Sequence, residues 1–120
     1  MRKDMNVTLR ELTDLVTRFR EARDWQQFHT PKDLAMDLCV EAAEVAEHTL
    51  WRRGRDLDRH LSRKKSEIAD ELADVLHVIL LLADELDIDL GKAMYVKMVK
   101  NERKYPVHKS RGKATKYTEL

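Results

Sequence analysis

Between Val75 and Leu86 the chain is apolar in almost every direction around a helix, interrupted only by His77, Asp84 and Glu85. A helix with one apolar stripe needs one neighbour, whereas a helix apolar all round needs burial on every side. A chain of 120 residues has few elements to spare for that purpose. The run therefore calls for a helical fold built around this segment and completed by self-association as a dimer or a tetramer. Its uninterrupted stretch, Val78 to Ala83, is far too short to span a bilayer.

The rest of the chain reads as helices too. Gly and Pro occupy only five positions, which favours long helices. Leu9, Leu12, Leu15, Val16, Phe19 and Ala22 follow helical spacing in a first helix that starts near Val7 or Thr8 and ends near Trp25 to Phe28. Thr30-Pro31-Lys32-Asp33 then reads as a helix start: Thr as N-cap, Pro at the first position, Asp in the first turn. This second helix runs to about Arg52. Leu34, Ala35, Leu38, Ala42, Val45 and Ala46 form one face, and Asp37, Glu41, Glu44, His48 and Trp51 the opposite stripe. Gly54 breaks the pattern, and residues 54–63 read as a charged loop or a short helix. A third helix spans about Lys64 to Glu85. A fourth, capped by Asp87 or Asp89, reaches about Lys104 and stops before Pro106. Length predicts a single domain over 1–120 with an irregular basic tail over 106–120. The fold class expected is all-α.

The net charge of +1 hides an asymmetry, since Lys97 to Lys116 carries +7 and the remainder −6. An acidic body beside a basic tail suits a cation and a polyphosphate held side by side, although a charge run alone is a solubilising feature. Cys39, the one cysteine, has no partner for an intrachain disulfide and is expected as a small core residue. No apolar signal segment occupies Met1 to Asn6, and a reducing cytoplasm is the expected location.

Two of these helices carry acids on one side: Glu41-Ala-Ala-Glu44 on the second, Glu71-Leu-Ala-Asp74 on the third. Residues three or four apart are neighbours on a helix surface. Facing helices would bring four carboxylates together, and such a cluster needs a cation of the hard, oxygen-preferring kind, Mg²⁺ or Mn²⁺. One such pair alone reads as a solvated helix face. Here small apolar residues (Ala42, Ala43, Ala73) flank the acids, and the stripes continue into Trp51 and His77. A ferritin-like di-iron site requires a Glu-x-x-His on each of two helices. Asp74-Val75-Leu76-His77 offers one such spacing and has no second copy, so Mg²⁺ is favoured.

Arg23-Asp-Trp-Gln-Gln-Phe-His29, Glu41-Ala-Ala-Glu-Val-Ala-Glu47, Asp70-Glu-Leu-Ala-Asp-Val-Leu76 and Lys97-Met-Val-Lys-Asn-Glu-Arg-Lys-Tyr-Pro-Val107 together carry a resemblance. From about Phe19 to Tyr117 the chain resembles the MazG-like all-α nucleoside triphosphate pyrophosphatases, most of all their dCTP pyrophosphatase branch. The resemblance implies an antiparallel bundle of four main helices, assembled as a dimer or a dimer of dimers. It implies that Glu41, Glu44, Glu71 and Asp74 bind Mg²⁺ and act in catalysis. Of the two overlapping E-x-x-D pairs it favours Glu71/Asp74 over Glu67/Asp70.

The implied reaction is hydrolysis of a (deoxy)nucleoside triphosphate to monophosphate and pyrophosphate. It would cleanse the nucleotide pool and favour deoxynucleotides such as dCTP. Trp25, Phe28, His29 and Trp51 are candidates for a base-stacking slot. So is His77, which stands where dCTP-specific relatives often have Tyr. Lys97, Asn101 and Lys104 form one stripe on the fourth helix and, with Tyr105, are implied phosphate contacts. Arg111 and Lys116 could close over them. The alternative is an oligomeric helical module that binds nucleic acid through its basic tail, with salt-sensitive affinity independent of Glu41 and Asp74. On the enzyme reading, no membrane and no stable nucleic-acid partner are expected.

Overall fold

Thr8 starts the first helix by accepting a hydrogen bond from the Glu11 N–H at 3.1 Å, which satisfies one of the open donors of the first turn. The computed structural model describes residues 5–120; Met1 to Asp4, part of the stretch read for a signal segment, lie outside them. The described residues are all-helical, without strands: α1 (Leu9–Ala22), α2 (Pro31–Glu47), α3 (Gly54–Arg63), α4 (Lys65–Glu85), α5 (Leu90–Lys104) and the single turn α6 (Val107–Ser110). Short 3₁₀ turns occupy Gln26–Phe28 and Tyr117–Glu119. Among the described residues, no helix is long and apolar enough to cross a membrane.

The chain divides into two units after Ile88. In the first, α1, α2 and α3 pack on α4. Thr30 caps α2 as the sequence predicts, accepting from the Asp33 N–H at 3.2 Å. Leu34, Val78 and Leu81 form the buried centre, with Val16, Leu38 and Leu82 against it. Each such side chain contributes roughly 1.5–3 kcal/mol by leaving water. The second unit holds α5, which Asp89 rather than Asp87 caps by accepting from the Lys92 N–H at 3.0 Å. Its tail is helical over α6 and turns back in a 3₁₀ turn where Tyr117 meets Tyr105 edge-on.

Of the two readings of residues 54–63, the short helix holds: they form α3, whose inward line is Leu57, His60 and Leu61. A buried histidine in that line hides the apolar period. Cys39 is exposed rather than core. The inward line of α2 is Leu34, Leu38, Glu41, Val45 and His48, and Cys39 points about 100° away from Leu38. Ala35, Ala42 and Ala46, expected inside, are exposed as well. The acid stripe and the apolar face of α2 are therefore not opposite; they merge on the side that meets α4.

Arg20 on α1 is a buried charge. It is 2% exposed, on the line Leu12–Val16–Arg20 of α1. Its guanidinium donates to Glu85 at 3.0 Å and Asp84 at 3.1 Å. These are the acids that interrupt the apolar run of α4. Gln26 also donates to Glu85, at 3.1 Å. This network ties the 3₁₀ turn that follows α1 to the end of α4.

Candidate active site

One carboxylate oxygen each from Glu41, Glu44 and Asp74 lies within 4.8 Å of the other two. The arrangement follows from α2 packing along α4, with Glu41 and Glu44 one turn apart on the same side. Glu41 and Glu44 are half-buried and Asp74 is exposed. Among the described residues no Lys or Arg pairs with any of the three. Glu41 Oε2 is buried without a hydrogen-bond partner among the described residues. Burial raises the Glu41 pKa from its ordinary value, and the charges of Glu44, Asp37 and Asp74 raise it further.

This donor set fits a divalent metal. Oxygen ligands of Mg²⁺ lie about 2.1 Å from the ion, so two of them are at most about 4.2 Å apart. Closure from 4.8 Å asks only for small side-chain adjustments. An orphaned, buried carboxylate oxygen is the group that such an ion would satisfy. The cluster can therefore hold a metal ion.

The fourth acid, Glu71, is engaged elsewhere. His48 Nε2 lies 2.7 Å from its Oε2. That oxygen is buried and makes no hydrogen bond of ordinary geometry among the described residues, so the approach of His48 is a close polar contact rather than an aligned hydrogen bond. His48 Nδ1 in turn lies 3.1 Å from Nε2 of the buried His60. Burial lowers the His60 pKa, with Arg52 and His48 adding to the effect. The overlapping pair stands apart. Glu67 binds Lys64 at 3.5 Å, and Asp70 is exposed. The helix-start N–H of Glu67 and then the Lys64 charge lower its pKa.

Beside the trio lies a cavity of about 170 Å³, lined by Phe19, Trp25, His29, Asp37, Glu41, Asp74 and His77 over a floor of Leu34, Val78 and Leu81. Phe19 is its hub: Trp25 and His77 each meet it edge-on with centroids 5.8 Å apart. The Arg23 guanidinium lies 3.6 Å over the Phe19 ring. His29 Nδ1 is buried without a hydrogen-bond partner among the described residues. The structure thus brings Trp25, His29 and His77 together with Glu41 and Asp74. It does not bring Phe28, which is 63% exposed, or Trp51, which is 87% exposed, to this cavity.

Lys97, Asn101, Lys104 and Tyr105 belong to the second unit. Lys97 lines a groove on α5 with Lys92 and Lys100. Asn101 is half-buried, and its amide is 3.9 Å from Met98 Sδ. The Lys104 ammonium sits 4.8 Å over the Tyr117 ring, which Tyr105 meets edge-on. Phe19, Asp37 and His60 escaped the sequence reading as site residues. Phe19 reads as core by its spacing, Asp37 as one more surface acid, and His60 as part of a charged segment.

A carboxylate trio on packed helices, open to an aromatic cavity, marks an all-α protein with a cluster that could hold a metal ion. The chain belongs to the MazG-like family, which matches residues 37–120. It is 38% identical over 115 residues to dCTP pyrophosphatase 1 of Bos taurus, covering 94% of this chain and 68% of that one. It is also 38% identical to dCTP pyrophosphatase 1 of Homo sapiens, with the same coverage. The crystal structure of a pyrophosphatase from Archaeoglobus fulgidus superimposes with a TM-score of 0.77 at 40% identity, covering 88% of this chain and 99% of that one.

Proposed function

We propose that the protein is a Mg²⁺-dependent nucleoside triphosphate pyrophosphohydrolase that cleaves (d)NTP to (d)NMP and pyrophosphate. On this reading it favours deoxynucleotides such as dCTP and cleanses the cytoplasmic nucleotide pool. The observation that carries it is the carboxylate trio opening on the aromatic cavity, and the dCTP pyrophosphatase relatives support it.

Glu41, Glu44, Glu71 and Asp74 would hold Mg²⁺, with Mn²⁺ able to replace it. When bound, the ion supplies charge neutralisation on the phosphate oxygens and the leaving pyrophosphate. Glu44 holds the attacking water and takes its proton as the new P–O bond forms at the α-phosphorus and the bond to the β-phosphate oxygen breaks. Phe19, Trp25 and His77 sandwich the base, and His29 Nδ1 offers its free lone pair or N–H to a polar edge of the base. Lys97, Asn101, Lys104 and Tyr105 contact the β- and γ-phosphates. Phe28 and Trp51 complete the base slot in an assembled dimer or dimer of dimers. Exposed Met36 and Val40 on α2, and Met94, Tyr95 and Met98 on α5, support that assembly as apolar surface in need of cover.

The test is product analysis with each of the eight common NTPs and dNTPs in Mg²⁺, with and without chelator. Monophosphate plus pyrophosphate, lost on chelation, supports the reading and ranks the bases. No turnover of any of them sinks it for common nucleotides, and a salt-dependent nucleic-acid titration then tests the basic tail.

A further inference from the structure

One polar cluster of the first unit has no part in the reaction as described: half-buried His48 and buried His60. The two imidazoles come from different helices, α2 and α3, and meet at 3.1 Å between His48 Nδ1 and His60 Nε2. The other nitrogen of His48 lies 2.7 Å from Glu71 Oε2 on α4. A single line of contacts thus runs His60–His48–Glu71. Its end is one turn of α4 from Asp74, and His48 is one turn of α2 from Glu44.

We propose that His48 and His60 are positioning residues for Glu71. Holding one carboxylate oxygen fixes the rotamer with which Glu71 serves the metal site formed with Glu41, Glu44 and Asp74. This rests on the metal-site reading above.

The proton inventory of the line supports it. With Glu71 ionised, His48 must present Nε2–H to it, because a bare nitrogen facing a carboxylate at 2.7 Å repels. In the neutral ring Nδ1 is then an acceptor, and His60 Nε2, which faces it at 3.1 Å, is placed to supply the hydrogen. Each nitrogen in the line has one consistent role, so the tautomers lock one another. His60 is only 8% exposed, which keeps water from competing for His48. Without this line, Glu71 Oε2 has no polar partner among the described residues. Partners of this kind, behind a ligand, typically account for 10- to 100-fold in metal affinity.

The experiment is Mn²⁺ titration of the full chain followed by EPR of the free ion, with thermal melts to confirm folding of each variant. His48→Leu should weaken Mn²⁺ binding by about tenfold or more, and His48→Gln, whose amide still donates to Glu71, should restore most of it. In a Glu71→Gln background the His48→Leu change should have no further effect. Should His48→Leu not fold, His60→Phe, which fills the space and removes the donor, should weaken binding by about tenfold with His48 intact. Unchanged or tighter binding in the folded variants overturns the proposal and leaves the metal site standing, as does equal loss in both backgrounds. Absence of Mn²⁺ binding by the unmodified protein overturns the metal-site reading, and this inference with it.

Discussion

The rings of Phe19 on α1 and His77 on α4 meet edge to face, their centroids 5.8 Å apart. Trp25 meets the same Phe19 ring at the same distance. Two aromatic edges on one hub make a stacking platform whose geometry depends on all three. Edge-to-face pairs contribute about 0.5–1.5 kcal/mol beyond their buried area. His77→Ala should therefore raise KM for dCTP by about three- to tenfold while kcat stays within about twofold. Michaelis kinetics in Mg²⁺ check this, and an unchanged KM would remove the cavity from base binding. His77→Tyr should keep the platform and shift the dCTP:dTTP ratio of kcat/KM.

Glu41 is the acid with most to gain from a cation. Its pKa is raised from 4.5, first by burial and then by its acidic neighbours. The folded state therefore keeps a proton that the unfolded chain has already lost. In metal-free protein, stability should fall as pH climbs from about 4.5 through the folded pKa, and the penalty should persist at neutral pH. Glu41→Gln removes that penalty. It should raise the metal-free melting temperature at pH 7, abolish the further rise on adding Mg²⁺, and abolish turnover. A variant that melts lower than the parent without metal would contradict the electrostatic account.

These sites also show what the sequence could and could not disclose. The E-x-x-E and E-x-x-D pairs are legible because helical spacing alone puts each on one side. Thr30 is legible as a cap, and Asp89 as one of two candidates beside Asp87, because cap chemistry is local. The merging of the acid stripe of α2 with its apolar face is not, since it depends on where α4 crosses. Arg20 reads as a surface cation until Asp84 and Glu85 arrive from 64 and 65 residues away. His48 and His60 are ordinary polar positions until α3 folds onto α4. Local chemistry sets the elements; the groups that hold the site in place are long-range pairs.

Arg20 should matter for the fold rather than for the chemistry. Its guanidinium is buried and answers two carboxylates, of which Glu85 is itself largely covered. Arg20→Ala leaves Asp84 without its cation and Glu85 with only the Gln26 amide. Breaking a fully buried pair from one side costs about 3–5 kcal/mol, and the 39% exposure of Asp84 puts this case below that range. Thermal or urea unfolding should report a loss of about 2–3 kcal/mol. A loss within the noise of a surface substitution would mean that the pair is solvent-screened.

Trp51 separates stability from function most cleanly. The ring is 87% exposed, so its packing adds little to the single chain. Its backbone is at φ +63°, a conformation that costs a residue with a side chain roughly 1–2 kcal/mol and glycine almost nothing. Local physics alone would select glycine there, and a large aromatic held in strain on the surface needs another reason. Trp51→Gly should therefore hold or raise the melting temperature, by the strain released less the added freedom of the unfolded chain. The same change should raise KM for the nucleotide several-fold, because on the proposed reading the ring stacks on a base in the assembled protein. Melting curves and steady-state kinetics on one preparation give both numbers. A higher melting temperature with an unchanged KM would leave the strain unexplained by substrate binding and point to a contact between subunits instead.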